Sequence, residues 1–155
     1  MRGTTGAMGA AAAVLLAPAA AQAQLVSQDF CHGLTRVVEA ARDEGGFLRL
    51  ERARDAPPHL GFRHGCRATG DSKRQYWLCT QTLAPAEMSR DALTARVATC
   101  LPDAARSTSD YGREAAFTLP HAQIRIDERG GPWAKVGRIV QLVVEAIRPP
   151  APSGQ

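Results

Sequence analysis

The chain has 155 residues, with 19 Lys+Arg against 15 Asp+Glu and a formal net charge of +4. That length supports one hydrophobic core and leaves too little chain for a second. The positive charge is scattered and does not gather into the runs or faces that nucleic-acid proteins present, so no nucleic-acid partner is expected. Arg outnumbers Lys 17 to 2. This reads either as the coding habit of a GC-rich genome, shared with the many Ala, Gly and Pro residues, or as a choice of side chain for bidentate contact with carboxylate or phosphate.

Residues 1–23 combine Arg2, an apolar run from Ala10 to Ala17, and Ala21-Gln22-Ala23. Small residues at the two positions a signal peptidase reads mark a secretory signal, with cleavage expected before Gln24. The apolar run is too short for the ~20 residues that a membrane helix needs. Later, Val136–Ile147 is interrupted by Arg138, Gln141 and Glu145, so no membrane-spanning segment is expected. Cys31 lies downstream of the cleavage site and not directly after the run, which argues against a lipoprotein. The expected address is the periplasm or the exterior.

In chain order, Gln24–Gln28 is expected to fray, and Asp29 suits the N-cap of a first helix. Phe30, Leu34, Val37, Val38 and Ala41 make its apolar stripe, and Gly45-Gly46 ends it. Phe47–Ala53 reads as a strand by period two, with Leu48 and Leu50 on one face and Arg49 and Glu51 on the other. Asp55-Ala56-Pro57-Pro58 breaks it. A hairpin follows. Its first arm carries Leu60, Phe62, Cys66 and Ala68 on one parity and Arg63 and Arg67 on the other; His64 falls in the apolar parity. Gly70-Asp71-Ser72-Lys73 supplies the turn, and the second arm, Arg74–Leu83, carries Trp77, Cys79 and Leu83.

Pro85 opens a helical region reaching Leu101, striped by Met88, Ala92, Leu93, Val97, Cys100 and Leu101. Residues 103–114 read as a polar loop. Ala116–Leu119 and Gln123–Asp127 read as strands, the second with Ile124 and Ile126 alternating against Gln123, Arg125 and Asp127. Gly130-Gly131-Pro132 is a turn. Ala134–Ile147, rich in Val and Ile, reads as a strand, although Val136, Val140, Val143, Val144 and Ile147 also fit a helical stripe. Residues 148–155 read as a disordered tail, which leaves one domain over 24–147. Hairpins in place of βαβ units imply an α+β fold: two helices packed on one face of a mainly antiparallel sheet of about five strands, stapled by two disulfides. The expected core is Leu34, Val38, Phe62, Trp77, Leu93, Val97, Ile124, Ile126, Val140 and either Leu142 or Val143.

Four cysteines in an exported chain read as two disulfides. A hairpin turn centred between Ser72 and Lys73 sets Cys66 directly opposite Cys79, at the ~4.5–5.5 Å Cα separation of facing antiparallel residues, which a disulfide accepts. Cys31 and Cys100 then pair and join the two helices. The spacings contain no Cys-x-x-Cys and match no zinc pattern. His59, His64 and Cys66 form the one cluster with ligand chemistry, and the disulfide takes its sulfur. No metal and no cofactor are expected.

A hydrolase would need a nucleophile, a base and an orienter. Ser107, Ser109, Asp110 and His121 supply such parts, yet none sits in a motif with a mechanical reason. Asp43-Glu44 and Asp127-Glu128 are sequence neighbours that point apart in regular structure. One feature remains: Arg49, Arg63, Arg67 and Arg125 all take the solvent parity of their expected strands. If these strands share a sheet, its open face carries a basic patch fit for an acidic envelope protein or a polyanionic surface. The alternative is a solvated face balanced by Glu51, Gln123 and Asp127. The functional expectation is a small exported binding or accessory protein without enzymatic activity, inhibitor- or immunity-like. The second is a small exported hydrolase using a histidine. The leader yields a direct test: intact-mass measurement on protein expressed with its leader in a secreting host should find a chain that begins at Gln24.

Overall fold

The computed structural model describes residues 19–54, 57–71, 74–109, 114–130 and 137–148, with side chains from Gln28 onward. Helix α1 (Ala19–Ala40) precedes a short α2 (Gly46–Glu51) and the hairpin β1 (Cys66–Gly70) and β2 (Gln75–Thr82). A 3-10 turn (Ala86–Met88) leads into α3 (Arg90–Cys100), and β3 (Ala105–Thr108), β4 (Glu114–Thr118), β5 (Ala122–Arg129) and β6 (Ile139–Ala146) follow. The six strands form one sheet in the order β1-β2-β6-β5-β4-β3, antiparallel at every pairing. Between β2 in the middle and β3 at the far edge, the chain crosses through α3. The fold is therefore α+β as expected, with three helices and six strands among the described residues in place of two and about five.

The core lies between the sheet and the helices. From the sheet come Trp77, Cys79, Phe117, Ile124, Ile126, Val140, Leu142 and Val144; from the helices come Phe30, Leu34, Val37, Val38, Phe47, Leu93 and Val97. Every expected core position is buried, and the parity of β6 is settled: Val140, Leu142 and Val144 point inward while Val143 points to the open face. The Phe47 and Trp77 rings meet at 6.4 Å between centroids, tilted by 47°, within the range in which aromatic pairs attract beyond simple burial. Arg96 of α3 sets its guanidinium 4.0 Å above the Phe30 ring, a cation–π contact between α3 and α1.

Several local readings need correction. Helix α1 is continuous from Ala19, so Asp29 lies within it and does not cap it; the Ala and Gln residues ahead of Asp29 are good helix formers. It ends at Ala40, short of the expected Gly45-Gly46. The expected cleavage point before Gln24 falls inside this helix. The segment expected as strand Phe47–Ala53 is α2 and its end. Helical spacing buries Phe47 and half-buries Leu50, three residues apart, and leaves Leu48 43% exposed; Leu, Arg and Glu favour a helix, and no β-branched residue opposes it. Gly46 makes the turn between α1 and α2 possible, because a Cβ there would fall 1.9 Å from the Ala40 carbonyl oxygen.

The first hairpin arm begins only at Cys66. Leu60 and Phe62 are buried from a tight turn in which Phe62 N–H donates to the His59 carbonyl and Gly65 N–H to the Phe62 carbonyl. That removes the anomaly of His64, which is exposed and on no strand. The region from Pro85 divides into the 3-10 turn and α3, with Ser89 as N-cap accepting from Ala92 N–H. Residues 105–108, expected in a loop, form the edge strand β3, exposed at all four positions. An edge strand with neither face buried has no alternation to read. Residues 131–136 and 149–155, including the Gly131-Pro132 turn and the start of the strand expected from Ala134, lie outside the described residues.

Both disulfides join the expected partners. Cys66 faces Cys79 in register with Cα atoms 4.2 Å apart, and Cys31–Cys100 ties α1 to the end of α3 at 5.1 Å. Their sequence separations are 69 and 13 residues. In the chain-entropy description, removing Cys31–Cys100 as a double serine variant costs about 4 kcal/mol, and removing Cys66–Cys79 costs about 3 kcal/mol. Urea unfolding of the two variants, monitored by tryptophan fluorescence, should rank them in that order.

Candidate functional site

The helices cover one face of the sheet. On the other, Arg67, Leu78, Val143 and Arg125 form a lateral row across β1, β2, β6 and β5, and Thr80, Gln141 and Asp127 form the adjacent row. Arg67 and Arg125 thus share the open face at three strand spacings, roughly 14 Å. The other two arginines do not join them. Arg49 is on α2, on the helix side, because its segment is helical and not extended. Arg63 sits in the turn before β1, where strand parity does not apply.

Their partners sort them again. Arg49 Nη2 lies 3.0 Å from an Asp43 carboxylate oxygen, and its Nη1 donates to the Glu44 carbonyl at 2.8 Å. Arg125 pairs with Glu145 at 3.4 Å. Arg63 and Arg67 are exposed, and among the described residues neither guanidinium has a carboxylate partner. The basic feature is therefore a corner at the β1 edge, and the four-arginine face is not formed.

That corner is built rigidly. Arg63 N–H donates to Oε1 of the buried Gln81 at 2.8 Å, which fixes the turn to β2. Gly65 adopts φ +71°, and a Cβ there would meet His59 Nδ1 at 2.9 Å, so the His59 ring folds over a position that only glycine suits. The Cys66–Cys79 disulfide then locks β1 to β2. Between the turn and the open face lies a cleft of about 410 Å3 lined by His64, Gly65, Cys66, Arg67, Leu78, Thr80 and Gln141. Gln141 Nε2 donates to Thr80 Oγ1 at 3.4 Å. No carboxylate among the described residues lines it. Asp127, beside Gln141 on β5, is 2.6 Å from Arg129 Nε. Thr80 and Gln141 were legible only as polar interruptions, Thr80 on the parity opposite Trp77 and Cys79, Gln141 inside the apolar run of β6.

The parts proposed for hydrolysis do not converge. His121 precedes β5 next to the Ala122–Ala146 pair, about 17 Å along the sheet from the Gln141 row at five residues of strand. Ser107 and Ser109 are exposed at the far edge, where Ser109 Oγ accepts from Glu114 N–H; Asp110 lies outside the described residues. Cys66, bonded to Cys79, is withdrawn from the His59–His64 cluster.

A second cleft, of about 420 Å3, lies on the other side of the Arg63 turn, with Gln81, Leu83, Met88 and Arg96 among its walls. Burial pushes the Arg96 guanidinium below its ordinary pKa, though an arginine remains charged at neutral pH. Leu83 is a bulge. Thr82 pairs with Ile139 and Ala84 N–H donates to the Arg138 carbonyl, which leaves Leu83 as the extra residue. It holds φ +50° and is 75% exposed, an unusual combination for a branched aliphatic side chain. Comparison with known proteins found no matching family model, no matching curated protein and no matching solved structure. A left-handed leucine costs about 1–2 kcal/mol, and a glycine loses roughly 0.5–1 kcal/mol more chain entropy on folding. Leu83→Gly should therefore stabilise the protein by about 0.5–1 kcal/mol, while Leu83→Ala, which keeps the strained φ, should give no gain; calorimetric melting distinguishes the two.

Proposed function

We propose that this is a small exported protein that acts by binding and not by catalysis, as an inhibitor-like, immunity-like or accessory protein of the cell envelope. Its contact surface is the basic corner of Arg63 and Arg67, and its partner is an acidic envelope protein. The observation that carries this reading is the contrast among the four arginines. Two have internal carboxylate partners; the two at the β1 edge have none among the described residues and stand on a turn held by Gln81 and a disulfide. Unpaired charge on a rigid support favours electrostatic encounter with an oppositely charged surface. The two disulfides support an oxidising compartment, and no helix among the described residues is long and apolar enough to cross a membrane.

The experiment is cross-linking and co-purification from the native periplasm, followed by association kinetics with the isolated partner. Arg63→Glu with Arg67→Glu should slow association about tenfold at low salt and leave stability within ~0.5 kcal/mol. Arg49→Glu with Arg125→Glu should do the opposite: little change in association and a loss of stability that comes from Arg125, where a second carboxylate would face the half-buried Glu145, since the exposed Arg49–Asp43 pair contributes little. Equal association rates for the Arg63/Arg67 variant and the unaltered protein would overturn the reading.

A further inference from the structure

We propose that the cleft beside Arg67 is an oxyanion site that takes a phosphate or sulfate ester on a hydroxyl-bearing skeleton. This deepens the reading of the basic corner as the contact surface and rests on it. Arg67 carries five N–H donors in a planar fork, and none has an acceptor among the described residues. Thr80 Oγ1 accepts from Gln141 Nε2, which leaves the Thr80 O–H free to donate into the cleft. Gln141 has a second amide N–H and its carbonyl oxygen to offer. His64 adds an imidazole at the rim. These groups come from β1, β2, β6 and the turn before β1, and all of them line the one cleft on the open face of the sheet.

The donor set selects the ligand. The lining holds a guanidinium, an imidazole, a hydroxyl and a carboxamide, with no carboxylate among the described residues; the neighbouring Asp127 is paired with Arg129. A metal cation finds no anionic ligand there. Donors arriving from three strands suit an ester with three free oxygens better than a planar carboxylate with two. A cleft of about 410 Å3 is of the size that receives small organic molecules. Leu78 provides an apolar wall for a carbon skeleton, and the Gln141 carbonyl can accept from a ligand hydroxyl.

The test is NMR titration of the full chain, disulfides intact, with inorganic phosphate, inorganic sulfate, acetate, glucose 6-phosphate and dextran sulfate. Phosphate and sulfate should shift the Arg67 Nε–H and Gln141 side-chain signals saturably, at least tenfold more tightly than acetate, and glucose 6-phosphate should bind more tightly than phosphate. Arg67→Ala should abolish saturation; Arg106→Ala, on the exposed far-edge strand β3, should not. Thr80→Val and Gln141→Leu keep the charge and remove the donors, and each should weaken phosphate about tenfold. Tighter binding of dextran sulfate than of glucose 6-phosphate points to a polymer as the natural source, and the reverse to a free solute; both support the site. Equal affinity for acetate and phosphate, or equal losses in Arg106→Ala and Arg67→Ala, would overturn it as diffuse attraction. Because Thr80→Val and Gln141→Leu retain Arg63 and Arg67, the two proposals separate. Unsaturable phosphate shifts with charge-dependent partner association overturn the cleft alone. Saturable shifts with partner association insensitive to Arg63 and Arg67 overturn the protein-partner reading alone.

Discussion

Strand β2 and its strict alternation organise the rest of the molecule. Its inward residues are Trp77, Cys79 and Gln81. Trp77 meets Phe47 and thereby seats α2 under the sheet. Cys79 bonds Cys66, directly opposite, and pins the register of β1. Gln81 accepts from Arg63 N–H and holds the turn before β1 in place. Its outward residues, Leu78 and Thr80, build the floor of the cleft. A slip of one residue in β2 would exchange these two sets, exposing Trp77 and removing both the disulfide and the cleft. The covalent bond at Cys79 makes that slip impossible without breaking the hairpin, so the register that closes the core also places the polar groups of the candidate site.

The same economy of partners explains the charge distribution. Glu128 receives Arg90 N–H at 2.7 Å and pairs with Arg138 at 3.0 Å, binding α3 to the end of β5 and the start of β6. Glu51 accepts from Ala68 N–H at 3.2 Å, so α2 covers one outward donor of the edge strand β1, which blunts that edge against further pairing. At the opposite edge β3 has only four residues, a short template for another chain. Carboxylates are thus engaged where they tie elements together, and the Arg63–Arg67 corner is left with donors in excess. Exposed ion pairs such as Arg42–Glu39 and Arg129–Asp127 contribute little individually; what matters for recognition is which cations they leave uncompensated.

Much of this architecture was legible because one signal, period two with a half-buried face, is strong in β2, β5 and β6. The cysteine pairing follows from the hairpin register, since Gly70-Asp71-Ser72-Lys73 marks a turn centred between Ser72 and Lys73. Where the signal weakens, the reading slips for identifiable reasons. Leu48 and Leu50 alternate with Arg49 and Glu51 as a strand would, but Phe47 is the larger apolar residue and its burial against Trp77 selects the helical phase. Leu60 and Phe62 share a parity and are both buried, yet they reach the core from a turn in which Leu60 takes φ +50°. Strand β3 has no buried face to announce it. The error over Arg49 and Arg63 is inherited directly from these two misread segments, whereas Arg67 and Arg125 stand on real strands and share the open face as expected. The cleft itself needs β6 beside β2, a pairing 61 residues apart at Thr80 and Gln141, which no local pattern encodes.

Both candidate clefts are built against the turn from His59 to Gly65. Arg63 and Gly61 face the cleft that contains Leu83; His64 and Gly65 face the one that contains Arg67. A turn of this length would ordinarily be among the more mobile parts of a small domain. Here Leu60 and Phe62 are buried, Gln81 bonds its backbone, the His59 ring closes over Gly65, and the disulfide begins at the next residue. Holding a turn so firmly reduces the ordering that a ligand would otherwise have to impose on binding. The nearby Leu83 bulge points the same way: a branched apolar side chain is kept outside, at a left-handed φ where glycine would be easier. The core itself holds the turn through Leu60 and Phe62, but it does not require the exposed cations Arg63 and Arg67 or the strained, exposed Leu83 at the surface of that support. Such rigid support is what a surface needs if its geometry is to be recognised.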